Sequence, residues 1–147
     1  MKGRRVVVAN GPNLNTLGTR EPEIYGLQTL ADIQAMVDAK AHDLGWTADF
    51  FQSNHEGELV DRLQRTPADA VGVIINPAGL THYSIALYDC LRALPVPIVE
   101  VHLSNLFARK ESYRQTSVTA PAAAAVITGM GSRGYVFAME YLSGLYE

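Results

Sequence analysis

Glu100 and His102 stand two residues apart in a short apolar run. On a strand that spacing puts both side chains on one face. A carboxylate one pleat from an imidazole can orient the ring tautomer and raise its pKa, which equips the pair for proton transfer. The other reading is a satisfied structural pair. Three more polar segments carry compatible residue types: Asn10, Asn13 and Asn15; Ser53, Asn54, His55 and Glu56; and Asn76 with His82. Ser104 and Asn105 follow His102. Amides and imidazoles bind hydroxyls and stabilise developing negative charge. Taken singly each has a plainer role. Asn10 and Asn13 flank Gly11-Pro12 as turn formers, and Asn76 before Pro77 can end a strand. Glu56 can cap a helix, and His82 can be a first-turn surface residue. Arg20, Glu21 and Tyr25 form a further group. A free tyrosine titrates near 10, too high for a base at neutral pH, but a neighbouring guanidinium favours the phenolate. A solvated arginine and a tyrosine packing its loop down are equally compatible with the sequence.

The elements that would position these groups follow from periodicity and punctuation. Strands are expected at 6–9, 46–51, 71–75, 98–101 and 123–128. Helices are expected from Leu30 to the stop at Gly45, then at 56–63, 81–91 and 135–145. Thr29, with Asp32 three residues on, reads as an N-cap. Residues 10–28 carry three glycines, two prolines and three asparagines with no sustained period. A loop of that length in a compact domain is usually functional. Its residues 19–26 are expected to form a mobile lid. Alternating strands and helices imply an α/β fold with a five-stranded parallel sheet, in the common order 2-1-3-4-5. Ligands then bind beyond the carboxyl ends of the strands, where the four polar segments would converge.

Composition narrows the alternatives. The 147 residues are expected to form one domain, 1–147. Twelve Lys and Arg against 15 Asp and Glu leave a net charge of −3, without the basic footprint of a nucleic-acid binder. Hydrophobic residues make up 48 % of the chain, enough for a core. Cys90 alone cannot form an internal disulfide, so a cytoplasmic location is expected. At mid-helix it reads as a packed small hydrophobe. The apolar run after Arg4-Arg5 is too short for a signal segment, and no stretch approaches the roughly 20 apolar residues of a membrane span. His42, His55, His82 and His102 are scattered without metal-ligand spacing. Gly129-Met130-Gly131-Ser132-Arg133-Gly134 fits G-x-G-x-x-G, but the acidic residue required about 20 positions on has no place before Glu147. Those glycines read as a strand-to-helix turn.

Five motifs, in order, resemble the type II 3-dehydroquinate dehydratases of the shikimate and quinate pathways. They are Asn10-Gly-Pro-Asn-Leu-Asn15; Gly18-Thr-Arg-Glu-Pro22 with Tyr25-Gly26; Gln52-Ser-Asn-His-Glu-Gly57; Ile75-Asn-Pro77 with Leu80-Thr-His82; and Glu100-Val-His-Leu-Ser-Asn105. The resemblance implies a flavodoxin-like fold and a homo-oligomer, a dodecamer built as a tetramer of trimers. It implies reversible loss of water from 3-dehydroquinate through an enolate, with no metal and no organic cofactor. By the same resemblance Tyr25 is the base, activated by Arg20 on the lid. Asn13 stabilises the enolate through a bound water. His102 is the acid, held by Glu100. Asn76, His82 and Arg114 bind ring hydroxyls, and the Leu103 and Ser104 amides bind the carboxylate. Asp89 is the residue a neighbouring subunit brings to the site. Type I enzymes of this activity use a lysine Schiff base, but Lys2, Lys40 and Lys110 follow no strand end at the expected site edge.

The chain departs from the family pattern in places. Arg109 to Arg114 is i to i+5 where the family has i to i+4, so one residue is inserted. Phe107 stands where many members carry His, and Tyr88 where many carry Arg before the Asp. Arg109 itself reads either as a solvated or ion-paired loop charge or as a group near the lid. The competing functions are the same reaction in quinate catabolism, a non-catalytic binder of small polyhydroxy acids and, from fold alone, a flavin carrier. For the last, Gly11 before Pro12 and Asn13 makes a poor phosphate cradle.

Overall fold

A computed structural model describes residues 4–19 and 21–147. Among them, five parallel strands form one sheet: β1 (Arg4–Asn10), β2 (Trp46–Gln52), β3 (Gly72–Asn76), β4 (Ile98–His102) and β5 (Ala125–Thr128), in the order β2-β1-β3-β4-β5. The expected architecture and strand order are both present. The first three crossovers carry α-helices, α1 (Pro22–Tyr25) and α2 (Leu30–Asp43), then α3 (Glu56–Leu63) and α4 (Ile85–Arg92); the β4–β5 crossover carries only 3-10 turns, and α5 (Arg133–Gly144) follows β5.

The β-branched run of β1 explains its central place. Val6 and Val8 point into one core with Ile33 and Val37 of α2 and with Tyr135, Met139 and Leu142 of α5. Val7 and Ala9, on the alternate face, pack against Leu59 and Leu63 of α3 and Leu87 and Leu91 of α4. Each such buried aliphatic side chain contributes roughly 1.5–3 kcal/mol. Thr29 closes the expected cap as a full capping box: its hydroxyl accepts from Asp32 N, and the Asp32 carboxylate accepts from Thr29 N. Gly129 (φ +88) and Gly131 (φ +58) make the left-handed turn from β5 into α5, as the glycine run suggested.

Several boundaries differ from expectation; β1 starts two residues early, at Arg4, and α5 spans Arg133–Gly144. Residues 78–82 form a 3-10 turn, and α4 starts only at Ile85, because the Ser84 hydroxyl takes the cap position and accepts from Leu87 N at 2.9 Å. β5 starts at Ala125, after a 3-10 turn over Ala120–Ala122 that contains Pro121. The 10–28 segment is not structureless: it contains a 3-10 turn at Leu14–Thr16 as well as α1.

Candidate active site

The register brings Gln52, Asn10 and Asn76 level at the carboxyl ends of three adjacent strands, and His102 level with Thr128 on the next two. Where β1 and β3 end, their loops touch. Gly11 N donates to Asn76 O at 2.8 Å, and a Cβ on Gly11 would collide with Pro77 O. Only glycine permits that approach. Gln52 and Asn54 then hold the chain beyond it: Gln52 Nε2 donates to Gly11 O at 3.1 Å, and Asn13 N donates to Asn54 Oδ1 at 2.9 Å. Behind these loops lies a buried polar chain. The Tyr135 hydroxyl donates to Asn10 Oδ1 at 2.6 Å and accepts from Asn76 Nδ2 at 3.2 Å, while Asn76 Oδ1 accepts from Ala78 N at 3.1 Å. Burial pushes the Tyr135 phenol far above its ordinary value, so it serves as a neutral hydroxyl.

A cleft of about 150 Å³ opens over this edge. Its walls include Asn13, Asn76, His82, His102, Leu103, Ser104 and Arg114, all expected site residues. His102 is 4 % exposed and Glu100 fully buried behind it, with His102 Nε2 at 2.8 Å from Glu100 Oε2. That contact leaves Nδ1 as the ring nitrogen available to a ligand. Burial pushes the Glu100 carboxyl up, but hydrogen bonds from His102, Thr119 and Ser117, with the charge of His102, outweigh it and hold the group below its ordinary 4.5. Beyond β4, Thr128 pins the turn: its hydroxyl donates to Ser104 O and accepts from Leu106 N. Among the described residues the Leu103 and Ser104 amides donate to no other group, which leaves two N–H donors on the cleft wall.

Both arginines in question reach the cleft. Arg109 Nη1 donates to Ser104 Oγ at 3.3 Å, so it is part of the wall rather than a solvated loop charge. Arg114 Nε lies 3.8 Å from Glu111 Oε2 and, among the described residues, is a buried polar atom without a hydrogen-bond partner. His82 Nδ1 bonds Thr116 O at 2.8 Å, and Tyr113 stacks edge-on to the ring. Asp89 does not line this cleft; it borders a separate groove with Cys90 and Pro95. Arg20 and the Tyr25 side chain lie outside the described residues. Glu56 does not merely start α3: it accepts from the Ser84 hydroxyl at 2.7 Å and ties α3 to α4. No cluster of side chains suited to hold a metal ion occurs among the described residues.

Sequence reasoning missed Thr81, Ser117 and Thr119, whose hydroxyls all bond the Glu100 carboxylate. The one available signal was Ser117-x-Thr119, a period-two polar pair inside a loop. It also missed Tyr135, which reads from sequence as an ordinary helix residue.

The family model described as "Dehydroquinase class II" matches residues 4–143, a span that contains all five motifs and every wall of the cleft. The chain belongs to the class II dehydroquinase family. It is similar to the 3-dehydroquinate dehydratase of Sinorhizobium medicae (strain WSM419), with 54 % identity over 142 residues, 97 % of this chain and 95 % of that relative. It is also similar to a protein named catabolic 3-dehydroquinase from Aspergillus clavatus, with 48 % identity over 141 residues, 96 % of this chain and 93 % of the relative. Among solved structures, the type II dehydroquinase of Butyrivibrio crossotus DSM 2876 superposes with a TM-score of 0.92 at 37 % identity, over 97 % of this chain and 99 % of that one. In this dehydroquinase both arginines, Arg109 and Arg114, line the cleft.

Proposed function

We propose that this chain catalyses the reversible dehydration of 3-dehydroquinate to 3-dehydroshikimate, as a step of the shikimate pathway. The observation that carries the proposal is the buried Glu100–His102 pair opening on a cleft lined by amides, an imidazole and arginines. Family membership supplies the substrate.

The reaction balances by proton transfers alone, so a base, an oxyanion stabiliser and an acid suffice, with neither metal nor organic cofactor. Tyr25, activated by Arg20, takes the C2 proton, and the electron pair moves into the carbonyl to give an enolate. Asn13 stabilises that oxygen through a water. As the enolate collapses, the C1–C2 double bond forms. The C1 hydroxyl leaves as water, with a proton from His102. Glu100 holds the ring of His102 in place. The free Leu103 and Ser104 amides suit the substrate carboxylate, and Asn76, His82 and Arg114 the ring hydroxyls. Arg114 Nε, a buried donor without a hydrogen-bond partner among the described residues, supports that assignment.

The reading extends to assembly and location. One sheet shared by two apolar cores supports a single domain over 1–147. Exposed Val126 on β5, Met130 on the turn after it, and Phe137 and Tyr141 on α5 support self-association. We propose the dodecamer, a tetramer of trimers, with Asp89 presented to a neighbour's site. Cys90, a free thiol, fits the proposed cytoplasmic location. No described helix is long and apolar enough to cross a membrane. The relative named as catabolic keeps quinate breakdown as the second reading of pathway.

The test is ultraviolet absorbance after mixing the purified protein with 3-dehydroquinate alone. The product is a conjugated enone acid, and its absorbance should grow. A flat trace from folded protein would refute catalysis and favour a binder of small polyhydroxy acids.

A further inference from the structure

Glu100 has more partners than holding one imidazole requires. Its Oε1 accepts from the Thr119 hydroxyl, and its Oε2 accepts from Ser117 at 2.9 Å and Thr81 at 3.2 Å as well as bonding His102 Nε2 at 2.8 Å. Thr81 and Thr119 are fully buried. The three hydroxyl oxygens are also close neighbours, Thr81 2.5 Å from Ser117 and 2.9 Å from Thr119, and Ser117 3.2 Å from Thr119; each carries one proton, and with that proton on the carboxylate these contacts are not additional hydrogen bonds. Ala120 N donates to Ser117 Oγ at 2.9 Å. A protonated Glu100 would have to donate into this ring of donors, whereas the anion accepts from all of them.

We propose that Thr119, with Ser117 and Thr81, is a set of positioning residues that keeps the proton shared by Glu100 and His102 on the imidazole. The proposal rests on the assignment of His102 as the acid. A buried carboxylate and imidazole titrate as a pair. Each hydroxyl that donates to the carboxylate lowers the pair's affinity for its proton, because the anion is the form it stabilises. His102 therefore gives its proton to the leaving hydroxyl more readily than it would beside a carboxylate with no other partner. The hydroxyls are not the sole anchors of their segment: Val118 N donates to Thr81 O at 2.6 Å, and His82 bonds Thr116 O. Removing one hydroxyl should therefore leave the segment in place. The other charged or titratable groups on the cleft side of His102 are, among the described residues, His82, Arg109 and Arg114. Asn76 of β3 and Thr128 of β5 are uncharged. All five are unchanged in the variants below.

The experiment compares wild type with Thr119→Val, Thr119→Ser and Ser117→Ala. It reads kcat and KM against pH, and the His102 ring titration by nitrogen NMR in the ligand-free protein. Thr119→Val should raise the ring midpoint and the alkaline limb of kcat by about one pH unit, and lower kcat about tenfold with KM within about twofold. Thr119→Ser should restore both, and Ser117→Ala should move them the same way by less. A folded Thr119→Val with an unmoved midpoint overturns the proposal, whether or not activity falls. If Thr119→Val does not fold, an unmoved midpoint in Ser117→Ala overturns it. Product formation by wild type tests the dehydratase reading separately, since the NMR midpoint needs no turnover.

Discussion

On the β4 side of the cleft, Glu100 and His102 are buried, Glu100 has four side-chain partners, and the following turn is tied to β5 by Thr128 and to the loop before α5 by Gly131 N donating to Leu103 O. On the β1 side, Gln52 and Asn54 reach no further than Asn15. Beyond it, the backbone hydrogen bonds among the described residues are short-range: Thr19 N to Thr16 O, Ile24 N to Glu21 O and Gly26 N to Pro22 O. Ile24 and Leu27 are exposed, Leu27 at 78 %, and Glu21 holds a left-handed φ of 41. A carboxylate that stays ionised while its imidazole partner gives up a proton is kept so by a full set of hydrogen-bond donors. A segment that must admit and release a ligand needs few buried contacts, so that opening is cheap. Under the proposed mechanism the two sides divide the work: an acid fixed on β4, and a base on the segment that follows β1.

The sharpest way to break that division is to remove each group. His102→Ala and Tyr25→Phe should each lower kcat about a thousandfold while the fold persists, by steady-state kinetics and circular dichroism. Full activity in either would remove that residue from the mechanism. Glu100→Gln tests the fixed side alone. It puts an amide among donors and should cost about 3 kcal/mol in chemical denaturation. It should also change the pH dependence of stability. Because the folded protein holds Glu100 below its ordinary 4.5, its stabilisation is complete above that value and is lost as pH falls through the lower, folded one. Acid unfolding should be shallower in Glu100→Gln; an unchanged acid limb would contradict the pairing. The smallest effect belongs to the end of the loop side, where α2 begins. Thr29 ends the loop with a capping box, and Thr29→Ala should cost about 1 kcal/mol with kcat preserved. A large loss of activity there would mean that the cap sets the loop's position as well as the start of α2.

Particular elements show what could be read in advance. The 56–63 helix matches its expected bounds, and β3 is displaced by one residue. Both depend on apolar spacing and on breakers within a few residues. α4 was placed too early because helical spacing continues back through Thr81, whose hydroxyl is instead committed to a carboxylate 19 residues away. The four polar segments were legible as strand ends, and the register brings them to one edge. Arg109 was ambiguous because a loop arginine has no periodicity to orient it. Tyr135 was invisible as a support because its partner Asn10 is 125 residues away.

The sequence by itself determined the alternation of strands and helices, the caps at Thr29 and Gly45, and the pairing of Glu100 with His102. Each of these is settled by neighbours within about four residues, through periodicity, capping and the pleat. Only the tertiary structure decided which hydroxyls surround Glu100, which backbone donors remain open at Leu103 and Ser104, and that both Arg109 and Arg114 reach the cleft. Those outcomes depend on sheet register and burial, which bring together groups far apart in the chain and leave a buried carboxylate no water to satisfy it.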